Sequence, residues 1–154
     1  MIQRIQTVYL LLIVALMTAG LFLPLSVLQL NDTLYSFDVM GVKTMLSETP
    51  ELVYPAWELF ALCAVIILLA LITIFFYRKR ILQIRLCIFN GLLLIGFYVL
   101  FIFFIVTMKK SLGDFSITGK IALTFPFVCL IFDYLAIRNI GADEALVRSL
   151  DRLR

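Results

Sequence analysis

Four long apolar stretches dominate the hydropathy pattern of the chain. They run over Val8–Leu28, Ala56–Tyr77, Leu86–Met108 and Ile121–Ile137. A helix needs about 20 apolar residues to cross a hydrocarbon layer of about 30 Å, and the first three stretches meet that length. The fourth meets it if its helix begins near Phe115 or Ile117. Because the apolar runs are continuous and do not alternate, they predict helices rather than a β-barrel.

The pattern predicts an all-α integral membrane protein with one domain, a four-transmembrane-helix bundle. Short linkers make helices two and three antiparallel neighbours. Pro24 and Pro126 fall inside the first and fourth helices and should kink them. In chain order, the predicted segments are a first helix at about 6–28, an external loop at 29–54, a second helix at about 55–77, a cytoplasmic loop at 78–85, a third helix at about 86–108, an external loop at 109–119, a fourth helix at about 117–138 and a cytoplasmic tail at 139–154.

The first external loop contains one segment with a different period. Apolar and polar side chains alternate in its sequence TLYSFDV, which is typical of a half-buried strand. The residues MGV that follow offer a turn, so the pattern allows a small extracytoplasmic β-hairpin. Two strands alone are only marginally stable, so this hairpin would need to pack against the helices.

Composition supports the membrane prediction. The 154-residue chain is 64% hydrophobic and 15% charged, against about 45–50% and about 25% in soluble domains. A soluble protein of this composition would have too few polar groups for its surface, so lipid must be the solvent for much of the chain. The first stretch is predicted to be a retained helix, because its apolar run exceeds the roughly 7–15 residues of a signal peptide and no clean cleavage site follows.

The distribution of basic residues predicts the orientation. With four crossings, both termini lie on one side, and that side holds nine of the 13 basic residues, including every arginine. Cytoplasmic loops carry the excess of Lys and Arg, so we expect both termini in the cytoplasm of a bacterium, with the chain in its inner membrane. The nine are Arg4, Arg78, Lys79, Arg80, Arg85, Arg138, Arg148, Arg152 and Arg154.

The side chains available for chemistry are few. The chain has no histidine, which excludes His-based acid–base catalysis and the usual zinc or haem sites. Cys63, Cys87 and Cys129 each stand alone in a different stretch and are interpreted as apolar packing residues. No nucleophile, phosphate-loop or metal motif is present. We therefore expect no enzyme activity, no cofactor, no metal and no nucleic-acid partner.

Asp133 is the polar residue that most needs an explanation. It lies five residues before Arg138, hence about 7 Å deeper along a helix. It cannot pair with Arg138, because side chains at i and i+5 point in different directions. An intramembrane acid is a functional candidate by default, but its shallow depth favours a structural cross-helix contact over a proton or ion site. The candidate partners are Arg4, Arg80, Arg85, Asn90 and Tyr9.

The tail changes from apolar to charged residues. Gly141 permits a break in the helix, and Asp143 and Glu144 suit the start of a new one. Leucines then recur at helical spacing, which predicts a C-terminal amphipathic cytoplasmic helix. This helix either lies along the membrane surface with its arginines on phosphates or docks on a protein partner. The candidate interaction surface comprises Arg138, Leu146, Arg148, Leu150, Arg152 and Arg154, together with the 78–85 loop.

The two ends of the chain also resemble a known family. The N-terminal residues are MIQRIQTVYLLL, and the C-terminal region contains DYLAIRNI followed by DEALVRSLDRLR. These strings, and the length and layout of the whole chain, are similar to the domain-of-unknown-function family numbered 4293. The resemblance implies a four-helix inner-membrane protein of Bacteroidetes. It implies no activity, because none is established for the family.

Three functions are consistent with these patterns. The first is a non-enzymatic accessory or scaffold subunit of an inner-membrane assembly, with the tail and the basic loop as its cytoplasmic contact. The second is a protein that handles lipid or a small hydrophobic molecule. The third, placed last, is a membrane enzyme that uses Asp133. Sparse polarity inside the spans argues against a channel or a transporter that acts alone, because a conducting path needs polar lining groups.

Overall fold

The computed structural model describes residues 3–30, 33–45, 52–76 and 79–151, and side chains at positions 3, 4, 112, 148, 150 and 151 lie outside this description. The helices are α1 (Gln3–Phe22), α2 (Trp57–Phe75), α3 (Arg80–Leu112) and α4 (Phe125–Asp151), with a short 3₁₀ helix (Ile121–Thr124) before α4. The strands are β1 (Ser26–Leu30), β2 (Thr33–Asp38), β3 (Gly41–Thr44), β4 (Leu52–Pro55) and β5 (Ser116–Gly119).

The four helices form a bundle. Helix α1 packs against α2 and α4, and α3 packs against the same two helices, so each helix has two neighbours. In α3 the buried residues recur every three or four positions, which is the spacing of one helical face. The buried face of α3 comprises Gln83, Cys87, Asn90, Leu94, Phe97, Phe101, Phe104 and Met108.

The outward faces of the helices are as apolar as the interior. Leu11, Leu68, Ile102 and Phe103 are each more than half exposed. All four helices are long and apolar enough to cross a membrane by length and composition. The predicted four apolar helices are therefore confirmed. Their outward surface is the kind that a lipid environment, rather than water, would cover.

The first helix ends earlier than predicted. We expected it to reach residue 28 and to be kinked by Pro24, but α1 ends at Phe22, and Ser26–Leu30 forms β1. Proline disfavours the helical conformation of the residue before it, so the helix stops before Leu23. The backbone N–H groups beyond this point then pair with β2, and Leu25 N donates to Phe37 O at 2.9 Å. Pro24 therefore ends the helix and does not kink it.

A five-stranded antiparallel sheet replaces the predicted external hairpin. Its strand order is β4-β3-β2-β1-β5. The alternating segment and its turn do form a hairpin, in which Asp38 pairs with Gly41. A Cβ at Gly41 would collide with the Tyr54 carbonyl oxygen, and the φ of +142° also favours glycine. The sequence predicted only a two-stranded hairpin. It missed β1 and β4, which pair with β2 and β3, and it missed β5, which pairs with β1.

Strand β5 corrects the predicted start of the fourth helix. Residues 116–119 were assigned to the end of an external loop and the first turn of that helix, but they pair with β1, with Val27 opposite Thr118. The helix α4 begins only at Phe125. Pro126 is thus the second residue of α4, where a proline needs no N–H partner and fits the first turn. The predicted mid-helix kink at Pro126 was wrong.

The sheet packs on the far end of α3. The Phe37 ring is fully buried and stacks on Phe101, with centroids 5.3 Å apart. The Tyr54 ring meets Phe104 edge to face at 6.2 Å. With 33 residues, α3 is about 50 Å long, so its last turns extend well beyond a layer of about 30 Å. The sheet packs on these turns, at the end of the bundle opposite the start of α1 and the end of α4.

The other end of the bundle also differs from prediction. The 78–85 segment was predicted to be a loop, but α3 begins at Arg80. More importantly, α4 continues through Gly141 to Asp151 as one helix of 27 residues. Gly141 has no positive φ, so it fits the helix at a cost of about 1 kcal/mol relative to alanine. The separate amphipathic tail helix predicted after Gly141 was wrong.

Candidate functional site

Asp133 lies in the interior of the bundle, against the backbone of α3. Its side chain is only 2% exposed. An added Cβ at Gly91 would lie 3.0 Å from Asp133 Oδ2. Such a contact is tighter than ordinary van der Waals packing, so the missing side chain of Gly91 provides the room for the carboxyl group. The sequence placed Asp133 in a cross-helix contact, and the structure places it beside α3.

Asn90 precedes Gly91 and is also buried, with 1% of its surface exposed. Among the described residues, neither polar atom of its amide has a hydrogen-bond partner, and Asp133 Oδ1 has none either. A buried polar group without a partner costs several kcal/mol in an apolar environment. The predicted hydrogen bond between Asn90 and Asp133 is therefore not formed in this arrangement, although both residues lie within the bundle.

Cys87 is a polar neighbour of Asp133 on α3. It lies one helical turn before Gly91 on the buried face of α3, and its thiol forms a hydrogen bond with the Asp133 side chain. A thiol is a weak hydrogen-bonding group, so it offsets little of the cost of burying the carboxyl group. All three cysteines are free and buried, and the Cys129 thiol donates to Ile13 O at 3.9 Å.

The basic partners predicted for Asp133 lie elsewhere. Arg85 is exposed, and Arg80 donates from Nη1 to the backbone oxygen of Asp143 at 3.1 Å. Asp143 is ten residues from Asp133, about 15 Å along the helix, which explains why Arg80 cannot serve both. Tyr9 stacks on Phe132 with centroids 6.0 Å apart. The Arg4 side chain lies outside the described residues.

A second polar cluster connects the helices at the end of the bundle where α1 begins and α4 ends. Gln6, Gln83 and Asp143 are all buried. Gln6 Nε2 donates to Asp143 Oδ2 at 3.1 Å, and this bond joins α1 to α4. Sequence reasoning missed this pair because it broke the helix at Gly141. The signal was present in the spacing of three or four between the buried residues Cys129, Asp133, Ala136, Ile140 and Asp143.

The predicted interaction surface is described only in part. Arg138 and Leu146 are both exposed on α4, and the neighbouring Val147 is exposed as well. The side chains of Arg148 and Leu150 lie outside the described residues, as do Arg152 and Arg154 entirely. The structure shows how the helix that bears this surface is fixed, because hydrogen bonds at Asp143 connect it to α1 and α3.

Comparison with known families supplies the identification. The family model for a domain of unknown function, DUF4293, matches residues 2–153, which is nearly the whole chain. The chain belongs to the DUF4293 family. The family's description names no activity, so the assignment carries no catalytic residue to this chain. A comparison with curated proteins gives no match.

The apolar clefts in the described part of this DUF4293 chain include two that lie nearer the sheet than Asp133. One lies between the helices beside Gly20, Cys63 and Phe97. The other lies between the sheet and the end of α3. Its lining residues are Leu28, Leu30, Tyr35, Val42, Val53, Met108 and Phe115. In the described part of the chain, no three His, Cys, Asp or Glu side chains gather where they could hold a metal ion.

Proposed function

We propose that this DUF4293 protein is an integral protein of the bacterial inner membrane, with both termini in the cytoplasm, and that it acts as a non-enzymatic accessory subunit of a larger assembly. Its contact surface would be the end of α4, beyond Asp143. The observation that carries the proposal is the continuity of α4, which passes Asp143, the last buried side chain among the described residues, and leaves Leu146 and Val147 exposed.

Membrane placement is supported by the outward faces of the helices and by charge. Apolar side chains cover both the inside and the outside of the four helices. The segments predicted to lie on the side of the termini carry nine of the 13 basic residues, and cytoplasmic segments carry such an excess. Together these features support a bundle whose sheet lies on the external side and whose Arg80 end lies on the cytoplasmic side.

The contact surface is supported by its rigidity. A helix of 27 residues is about 40 Å long, so α4 is longer than a hydrocarbon layer of about 30 Å. Gln6 and Arg80 fix it at Asp143, with two hydrogen bonds of 3.1 Å each. A surface held in place loses less conformational entropy on binding, which favours protein docking. A tail lying flat on lipid would need a bend near Gly141, and the helix is continuous there.

The alternative functions have weaker support. Asp133 is 2% exposed, and neither apolar cleft described above includes it, so neither cleft would bring a substrate to the carboxyl group. This argues against a membrane enzyme that uses Asp133. A second candidate is lipid handling, and one observation favours it: the cleft between the sheet and α3 is lined by apolar side chains and one tyrosine.

Purification of the tagged full-length chain from its native membranes in mild detergent tests the main proposal. The double variant Leu146→Ala/Val147→Ala should lose a stoichiometric protein partner that the wild type retains. The matched control is Leu11→Ala/Val65→Ala, because Leu11 and Leu146 are 57% and 54% exposed, and Val65 and Val147 are 46% and 40% exposed. The control should keep the partner. Equal retention in both variants would contradict a contact at the end of α4.

A further inference from the structure

Strand β5 forms one edge of the sheet, and half of its backbone groups point away from the only strand beside it. The strand order places β5 next to β1 alone. Lys120 N donates to Leu25 O at 3.0 Å. Because hydrogen-bonded pairs alternate along an antiparallel ladder, every second residue back from Lys120 bonds to β1. The N–H and C=O groups of Ile117 and Gly119 therefore point to the open side, and no described residue bonds to them there.

The other edge of the sheet is protected, whereas β5 is not. Proteins blunt free edges with prolines, bulges and charged side chains, because an open edge pairs readily with another strand. Strand β4 has a register shift opposite Val42 and Lys43 and ends at Pro55, which has no N–H to donate. Strand β5 has the sequence SITG, without proline or charge, and its register against β1 is regular over all four residues. It is thus an open template for one more strand.

The two faces of β5 have different chemistry. Ile117 lies opposite the buried Leu28, and cross-strand partners share one face of a sheet, so Ile117 is on the bundle side. Phe115 lines the cleft on that same side. Ser116 and Thr118 lie on the outer face by alternation. A strand that pairs with β5 should therefore also be apolar towards the bundle and polar on its outer face.

The charges that flank β5 match a second copy of the same strand. Asp114 and Lys120 are exposed, and neither forms an ion pair with another described residue. If a second β5 runs antiparallel with Ile117 opposite Ile117, the outward backbone groups of the two strands meet. The same register sets Asp114 opposite Lys120 of the second copy, at both ends by two-fold symmetry. A shift by two residues in either direction keeps matching backbone groups but loses both charge pairs, so opposite charges favour the register centred on Ile117.

We propose that two copies of this chain pair through β5, antiparallel and centred on Ile117, so that the five strands of each copy join in one continuous sheet. A two-fold axis perpendicular to the sheet relates the copies, which places both bundles on the same side of it. Two copies inserted in one bilayer with the same orientation require this arrangement. The dimer rests on the membrane placement proposed above for that common orientation, and it is independent of the contact at the end of α4.

Disulfide crosslinking of the full-length chain in its native membranes tests the register. In Ile117→Cys the two introduced cysteines face each other with Cα atoms about 5.5 Å apart, a distance that a disulfide spans. Mild oxidation should convert most of this variant to a covalent dimer. The control is Thr118→Cys, also exposed, whose two cysteines would lie diagonally, about 7–8 Å apart, and should crosslink at least fivefold less. The native cysteines, Cys63, Cys87 and Cys129, are buried.

The backbone contribution is tested by the dissociation constant of the dimer in detergent, measured by analytical ultracentrifugation. Ile117→Pro removes an N–H that points to the open edge and is not used in the ladder with β1, a position that proline tolerates. Its thermal unfolding midpoint should stay close to that of the wild type, while the dissociation constant should rise at least tenfold. Ile117→Val keeps the N–H and should dimerise like the wild type. Equal dimerisation of Ile117→Pro and Ile117→Val would contradict pairing through this edge.

The charge pairs are tested by reversal and exchange. Asp114→Lys or Lys120→Asp alone sets like charges opposite each other at both ends and should raise the dissociation constant about tenfold. The double variant Asp114→Lys/Lys120→Asp exchanges the charges and should restore the dimer. A double variant no tighter than the single ones, or equal crosslinking of Ile117→Cys and Thr118→Cys, would overturn the pairing. Because all these variants leave Leu146 and Val147 unchanged, a chain that stays monomeric yet keeps its protein partner rejects the dimer alone.

Discussion

Gln6 and Asp143 are 137 residues apart in sequence, yet Gln6 Nε2 donates a hydrogen bond of 3.1 Å to Asp143 Oδ2 inside the bundle. Arg80 binds the backbone oxygen of the same aspartate, so a residue of the charged tail joins three helices. The tail is therefore not a segment separate from the bundle. The tail belongs to the folded core up to Asp143, and the hydrogen bonds at Asp143 hold the exposed residues that follow in place.

Replacement of Asp143 by alanine should therefore destabilise the whole bundle. It leaves the buried Gln6 amide without its acceptor, and an unsatisfied buried group costs about 1–3 kcal/mol. We expect a lower midpoint for thermal unfolding in detergent, measured by circular dichroism. Asp114→Ala is the control, since Asp114 is exposed. An unchanged midpoint in Asp143→Ala would show that the tail is not part of the core.

Much of this fold follows from the sequence pattern, because each helix is encoded locally. Long apolar runs predicted four helices, and the alternating segment predicted strand β2. The pattern could not predict which short segments pair as strands. Whether Ser26–Leu30 ends a helix or forms a strand depends on β2 and on β5, and β5 lies about 90 residues away in the chain.

The polar sites show the same limit. The sequence singled out Asp133 because burying a charged residue inside an apolar run is costly on any face of the helix. Its surroundings were not predictable, since they depend on which residues of α3 lie level with it. The structure places Gly91 there and sets Arg80 against Asp143. The Gln6–Asp143 pair was missed because a helix break was assigned at Gly141. The buried residues of α4 nevertheless keep their spacing of three or four across that glycine.

The contact between Gly91 and Asp133 gives a second prediction. Gly91→Ala should destabilise the bundle by about 1–3 kcal/mol, the usual cost of overpacking, because the new Cβ would lie 3.0 Å from Asp133 Oδ2. Gly96→Ala, with nothing within 4 Å of its added Cβ, should be neutral or stabilising. In the double variant Gly91→Ala/Asp133→Ala the penalty for Gly91→Ala should disappear. Additive effects of the two changes in unfolding experiments would argue against the contact.

A third prediction concerns the continuity of α4. An alanine added at Gly141 meets no atom within 4 Å, and the glycine has no positive φ. Gly141→Ala should therefore stabilise the protein by about 0.5–1 kcal/mol, because alanine has the higher helix propensity. The thermal unfolding midpoint should rise. The comparison is Gly41→Ala, which should lower the midpoint, since its φ and the Tyr54 carbonyl oxygen both require glycine. A fall in Gly141→Ala would indicate a break in the helix.

A fourth prediction concerns orientation. Cys63, Cys87 and Cys129 are buried, so an impermeant thiol reagent should react with intact cells only through an introduced cysteine. Ser116→Cys, on the exposed strand β5, should react from outside. Ser149→Cys, exposed at the other end of the protein, should react only after the membrane is permeabilised. The reverse pattern would invert the proposed topology.

Photocrosslinking in living cells tests the central claim, that the end of α4 is the contact surface for a protein partner. A photoreactive amino acid replaces Leu146 in one variant and Leu11 in another, two leucines of nearly equal exposure at 54% and 57%. We predict that irradiation of the Leu146 variant gives one discrete adduct with another protein. The Leu11 variant carries its photoreactive group on an exposed apolar face of α1, and we predict that it gives none. The absence of a protein adduct at Leu146, or the same adduct at both positions, would contradict the claim.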